Sequence, residues 1–292
     1  MGEQKHVVAV RPAKQDRFIH WLIGTLCGLL LIAGIVMNFE AGEQKQLGHV
    51  RVTYSKTPTL FISGDYSNWL TFGPLIDRLA RYDIGRPVWT IHVSKSGHAT
   101  IDKKGPLGNH NPLILVLFAD NHNAQKEAKQ LRPIMKQLKQ QEHIQTVNLV
   151  GHSSGCNIIY QYLTGPAADH REDYPTTVKF VNIATTYSKA ERRAVTRFPQ
   201  HISVLNIAGN AFNTGGDFGV SVEGDQQLGT TLTGRVDHYQ TQILFGGITV
   251  IHYLLHQNPR VDRALVDFLW NSHYTPQTRY PQNPNGRSWQ QK

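Results

Sequence analysis

The stretch VNLVGHSSGCNIIY, Val147 to Tyr160, joins an apolar run to a helical pattern through Gly151-His152-Ser153-Ser154-Gly155. The junction fits G-x-S-x-G, with Ser153 at its centre. In such a turn a strand ends on a residue held in strained dihedrals, and the flanking glycines let strand and helix approach closely. The hydroxyl then stands above the sheet edge, near a helix N-terminus whose dipole favours anionic intermediates. A helix N-cap serine is the structural alternative, open to Ser153 and Ser154 alike. The strand before and the helix after favour a nucleophile.

Outward from this point, strand-length apolar runs alternate with amphipathic segments. TPTLFISG (57–64) reads as a strand, followed by a helix over 72–82. VWTIHVS and HATID, separated by Lys95-Ser96-Gly97, read as a hairpin. NPLILVLFA (111–119) is almost continuously apolar, as buried parallel strands are. Next, Lys126, Lys129, Arg132, Lys136 and Lys139 face away from Ala128, Leu131, Met135 and Leu138 on one basic amphipathic helix, a solvated face. TVNLVG, VKFVNIA, ISVLNIAG and TQILFG supply further strands, and 154–163 and 259–270 further helices. The alternation predicts an α/β fold, a mostly parallel sheet with helices on both faces. In such sheets the chemistry sits at the carboxyl ends of the strands.

A serine hydroxyl at neutral pH needs a base, and the base needs an orienting acid, in the chain order Ser, Asp or Glu, His. After ISVLNIAG comes a glycine-rich loop holding Asp217 and Asp225, and after TQILFGGITV come His252 and His256. Asp217 lies closer to its strand end, and His252 lies just beyond the last strand. His252 and His256 share the i, i+4 spacing of zinc ligands, yet no Glu lies between them and no third ligand is evident. No metal or organic cofactor is expected. The loop over 210–239 is the only sizeable flap, and an open cleft suits modest acyl or peptidyl substrates.

The 292 residues carry a net charge of +9, which favours anionic surfaces in general. No zinc-finger spacing and no basic stripe interleaved with aromatics occurs, so nucleic-acid binding is not expected. The two cysteines, Cys27 and Cys156, imply no disulfide framework, and nothing in the sequence fixes an oligomeric state. From Phe18 to Met37 there is no Asp, Glu, Lys or Arg, and about 20 such residues reach ~30 Å as a helix. Lys5, Arg11, Lys14 and Arg17 precede the run, while Glu40 and Glu43 follow it. The positive-inside rule then gives a cytoplasmic N-terminus at 1–17 and an uncleaved signal anchor at 18–38. A spacer follows at 39–56, then an extracellular catalytic domain at 57–272. The tail at 273–292, rich in Pro, Asn and Gln, is expected to be disordered.

Taken together, TPTLFISGDYSNWLTFGPLIDRL, NPLILVLFADN, VNLVGHSSG, VLNIAGN and HYLLHQNPRVDRALVDFLW resemble a family of α/β-hydrolases. These are membrane-bound cell-surface hydrolases of Gram-positive bacteria, formally a domain of unknown function. The similarity runs over about 53–270. It implies an α/β-hydrolase fold and esterase- or lipase-like hydrolysis of a small ester or acyl substrate. Carried over by motif, it places the nucleophile at Ser153, the acid at Asp217 in GDFGV and the base at His252. The oxyanion donors fall on the backbone amides of Ser154 and Asp65. Two positions depart from the family: Cys156 replaces a glycine behind the elbow, and Ser63-Gly64-Asp65 replaces a His-Gly oxyanion loop. An ionised Asp65 aimed inward, ~5 Å from the oxyanion, would cost about 3 kcal/mol at an effective dielectric near ~20. One oxyanion donor contributes about 2.7–4 kcal/mol. The two readings are therefore a membrane-anchored serine hydrolase and a catalytically weak surface protein that keeps the fold to bind envelope components or partners.

Overall fold

The computed structural model describes residues 18–28, 42–65, 68–120 and 122–271. The chain divides into two units, Met1–Lys45 and Gln46–Lys292. In the first, residues 18–28 are helical and expose Phe18, Trp21, Leu22 and Leu26. The remainder of the span expected at 18–38, the N-terminal 1–17 and the tail 273–292 lie outside the described residues. Among the described residues no helix is long and apolar enough to cross a membrane.

In the second unit the apolar runs become β1 (Thr59–Ile62), β2 (Arg86–Val93), β3 (Ala99–Lys103), β4 (Pro112–Phe118), β5 (Thr146–His152), β6 (Thr176–Ile183), β7 (Ser203–Ala211) and β8 (His238–Gly246). The sheet order is β3-β2-β4-β1-β5-β6-β7-β8. Only β3 runs antiparallel, as the outer arm of the hairpin expected from VWTIHVS and HATID. The other neighbouring strands pair in parallel. All four residues of β1 are buried, because helices cover both faces and neither can be polar.

The helices are α1 (Trp69–Arg81), α2 (Ala124–Gln140), α3 (Ser154–Thr164), the short α4 (Lys189–Arg193), α5 (Val222–Leu232), the single turn α6 (His252–Leu255) and α7 (Pro259–Trp270). Phe61 of β1 shares one core with Phe72 of α1 and Leu265 of α7. Its neighbour Leu60 shares the other with Leu131 of α2, Ile158 of α3 and Leu228 of α5. The chain therefore leaves β1 towards one face and leaves the adjacent β5 towards the other. Their loops diverge, and a crevice opens at the carboxyl ends of these two strands.

Three local differences from the sequence reading have physical causes. Helix α1 starts at Trp69, not near Phe72, because Asn68 caps it by accepting the Leu70 amide at 2.8 Å. Pro74, inside that helix, has no N–H for the Leu70 carbonyl. Gln257 fills the gap, its Nε2 donating to Leu70 O at 2.7 Å and Thr71 O at 2.9 Å. Gln257 in turn accepts from Arg78 Nη1 at 3.1 Å, and Arg78 forms a buried two-pronged pair with Asp262 of α7.

Part of the expected flap over 210–239 is a packed helix. Ser221 caps α5 by accepting the Gly224 amide at 3.0 Å. Its buried side includes Gly224, Asp225 and Gly229, which carry no apolar signal. Those glycines mark close approach, since a Cβ on Gly229 would meet the Tyr239 ring at 2.9 Å. The third difference concerns the stretch read as a spacer. Leu47 is fully buried, and the Thr53 amide donates to Trp270 O at 2.7 Å, so residues from Gln46 onward pack with the second unit.

Candidate active site

Ser153 occupies the turn between β5 and α3 with φ 56° and ψ −133°, a conformation rarely seen for a side chain with Cβ. Its amide donates to Ile183 O on β6 at 2.9 Å, which holds the turn to the sheet. Both flanking glycines are needed for space. A Cβ on Gly155 would lie 2.2 Å from Ile62 O, and one on Gly151 would lie 2.8 Å from the Cys156 amide nitrogen. Cys156 itself is buried between α3 and β6, its Sγ 3.4 Å from the Ile183 amide, and burial pushes its thiol well up. It fills space where reactivity would need a thiolate.

The structure brings Ser153, His252 and Asp217 together. His252 Nε2 is 3.0 Å from Ser153 Oγ, and His252 Nδ1 is 2.9 Å from Asp217 Oδ2. A carboxylate only accepts, so Nδ1 carries the proton and Nε2 is free to accept from the serine hydroxyl. The Asp217 Oδ1 accepts two amides, from Gly219 at 2.9 Å and Val220 at 2.5 Å, and its carbonyl accepts the His252 amide at 2.8 Å. Gly219 also makes room for the ring, since a Cβ there would come within 2.6 Å of His252 Cγ. The other acidic candidate, Asp225, points elsewhere. It is fully buried on α5, accepting from the Thr185 amide at 3.1 Å and from Asn206 Nδ2 at 2.7 Å. Burial raises its carboxyl well above the usual range.

Two histidines pack behind His252, their rings tilted against one another. His152 lies between His252 and His256, with ring centroids 4.9 and 4.5 Å away. His152 Nε2 meets the His252 carbonyl at 3.1 Å and therefore carries the proton there. Burial first, then the neighbouring His256 and His252, hold the His152 pKa well below its ordinary value. Burial, His252 and Arg78 depress His256 to about 4. His256 does not pair with His252 as a ligand set, since both ring nitrogens of His252 are already engaged by Ser153 and Asp217.

The depressed His256 pKa sets an expectation for stability. Between pH ~6.5 and about 4 the unfolded chain takes a proton at His256 that the folded chain refuses, so stability falls as pH drops through that window and is untouched above it. From pH 7 to 4 the parent should lose about 3 kcal/mol more than His256→Phe. Urea unfolding of both chains at several pH values measures this, and parallel curves would contradict it.

The Asp65 loop is arranged differently from a free oxyanion donor. The Asp65 amide donates to Ser154 Oγ at 2.7 Å, and that hydroxyl donates to Asp65 Oδ1 at 2.8 Å. The expected donor is thus clasped to the residue beside the serine. Gly64 is packed into the same corner, where a Cβ would lie 2.8 Å from His152 O and from the Ser154 amide. The Ser154 amide opens α3 and has no intrahelical acceptor. A cleft of about 430 Å³ covers this corner, bordered by Asp65, Leu70, Pro74, Tyr253, Leu254 and His256. A larger hollow of about 500 Å³, lined by Arg171, Tyr174, Arg197 and His201, lies at the amino ends of β6 and β7, away from this chemistry.

A family model described as an alpha/beta hydrolase of unknown function (DUF915) matches residues 49–196 and 186–272. The chain belongs to this family. Two solved structures similar to this α/β hydrolase share its fold. The product of a Listeria innocua gene is 23% identical with a TM-score of 0.66, over 76% of this chain and 96% of that one. A protein described as a cell surface hydrolase of Lactobacillus plantarum is 19% identical with a TM-score of 0.60, over 73% of this chain and 89% of that one. No curated protein matches the hydrolase by sequence.

Proposed function

We propose that this α/β hydrolase cleaves carboxylic esters through an acyl-enzyme on Ser153. The observation that carries the reading is the unbroken run of hydrogen bonds from Ser153 Oγ through His252 to Asp217. Ser153 Oγ attacks the ester carbonyl carbon while His252 Nε2 takes the hydroxyl proton. Asp217 holds the imidazole through Nδ1–H and stabilises the imidazolium that forms. The tetrahedral oxyanion takes the Ser154 amide, and the Asp65 amide joins once it exchanges Ser154 Oγ for the substrate oxygen. The imidazolium then protonates the leaving alcohol, and water repeats the sequence to release the acid. A fluorophosphonate probe should label the purified chain, with the adduct mapped by mass spectrometry to Ser153. A chain that resists the probe would overturn the reading.

One observation favours the weaker catalyst, a surface protein that binds envelope components: the clasp between Asp65 and Ser154 engages a donor that turnover needs. Asp65→Asn removes the negative charge beside the oxyanion and is expected to raise kcat about tenfold, a part of the Coulomb penalty softened by exposure. Equal kcat values would mean that the carboxylate does not face the reacting oxygen.

For its place in the cell, we propose that the apolar 18–38 segment tethers the chain and leaves the hydrolase unit outside. The charge asymmetry around that segment supports this, as does the cell-surface description of the similar Lactobacillus protein. Protease added to intact cells should shave off the hydrolase unit, and full protection would place it inside.

A further inference from the structure

Among the described residues of the second unit, the large apolar side chains that stand exposed, Tyr54 aside, gather at the carboxyl end of the sheet. Trp69 and Leu70 follow β1 on one side of Ser153. On the other side Phe212 follows β7, Phe218 follows Asp217, Phe245 lies at the end of β8, and Ile248 lies two residues past it. These four are 62, 69, 57 and 56% exposed. Phe212 and Phe218 stack with ring centroids 6.3 Å apart.

Backbone conformation sets these two apart from ordinary surface residues. Phe212 has φ 51° and Phe218 φ 70°, the left-handed region that bulky side chains avoid. Neither exposed ring gains burial in return. Glycine or asparagine would fit both places more comfortably, so the fold retains a strained and unburied aromatic pair. Phe218 directly follows Asp217, and the next residue, Gly219, leaves the room in which the His252 ring sits. The ledge therefore begins at the reacting groups.

We propose that Phe212, Phe218, Phe245 and Ile248 form an open subsite for the straight hydrocarbon chain of an ester substrate. The inference rests on the ester-hydrolase reading above and names the class of ester. None of the four side chains carries a charge or a hydrogen-bonding group, so the hydroxyls of a sugar and the oxygens of a phosphate would find no hydrogen-bond partner on them. A protein seated permanently across the ledge would obstruct the approach to Ser153, whereas a chain belonging to the substrate arrives and leaves with the reaction. Leu70, Pro74 and Leu254 add apolar surface inside the cleft that holds Ser153.

The test is a p-nitrophenyl ester series from acetate to decanoate on the purified full-length chain, beside Phe212→Asn and the double variant Phe245→Ser with Ile248→Ser. In the parent, kcat/KM is expected to rise about twofold per methylene, half of what full burial gives in free-energy terms. Both variants should lower the decanoate-to-acetate ratio by about tenfold, three or so methylenes' worth of that rise. Phe212→Asn should melt no lower than the parent, because asparagine tolerates the left-handed backbone. A flat parent profile, or variants with the parent's ratio, would overturn the subsite. A lower melting point for Phe212→Asn would overturn the strain argument on which it stands. Decanoate titrated into Ser153→Ala, with and without Phe212→Asn, separates the two levels. If the parent, with Ser153 intact, turns over none of the esters, the hydrolase reading falls by itself, and weaker decanoate binding caused by Phe212→Asn would still keep the hydrocarbon subsite.

Discussion

Ser153→Ala is expected to lower ester turnover by about a millionfold and to abolish fluorophosphonate labelling, since members of such a relay act as one unit. The loss should fall on kcat, because the cleft walls and the amides that meet the substrate stay in place. The fold should hold. Alanine keeps the same Cβ at φ 56°, and the Ser153 hydroxyl makes no capping bond to α3. Melting temperatures of the two chains should therefore agree closely, and the decisive measurement is probe labelling of both. Persistent labelling would point to the neighbouring Ser154, whose hydroxyl meets a carboxylate where Ser153 meets an imidazole.

Asp217→Asn is the second large effect, and its sign follows from hydrogen-bond polarity. Asp217 Oδ1 accepts the Gly219 and Val220 amides, and that place needs an oxygen. In the variant the amide oxygen must stay there, which turns the NH2 group towards His252 Nδ1. That nitrogen then accepts, its proton moves to Nε2, and the imidazole can no longer take a proton from Ser153. A loss of about ten-thousandfold in kcat with little change in KM is expected, as for a base held in the wrong tautomer. Nitrogen-15 NMR of the imidazole would show the exchanged proton directly. A loss under tenfold would mean that another acid serves His252.

The parts legible in the sequence were those written in local patterns. Strands such as Pro112–Phe118 show as apolar runs because both sheet faces are covered, and the Ser153 turn shows because only glycines fit at 151 and 155. Asp217 was separable from Asp225 by its distance from the strand end, and the structure brings it, not Asp225, to His252. Helix α5 was hidden because close packing on Tyr239 and Thr186 replaced part of its apolar side with glycine. His152 stood in view inside the motif, as the variable residue before the serine, where nothing in sequence tells a solvated side chain from a buried one. Its contact with the His252 carbonyl joins residues a hundred positions apart, and so does not follow from spacing. The Asp65–Ser154 clasp is equally long-range, and the resemblance placed the Asp65 amide at the oxyanion, not against Ser154 Oγ.

The helix that carries Pro74 has a bearing on which substrates can enter. Its first two turns, which supply Leu70 and Pro74 to one wall of the cleft, are tied to Gln257, the residue next to His256, and one turn beyond Pro74 the helix is tied through Arg78 to Asp262. A branched or bulky acyl group cannot be admitted by swinging that wall aside without dragging along the peptide that carries the imidazole. On the proposed ester hydrolysis, breadth on this side is thus coupled to reactivity, and tolerance for larger esters would come from trimming side chains, since widening the gap would pull the proton relay out of register.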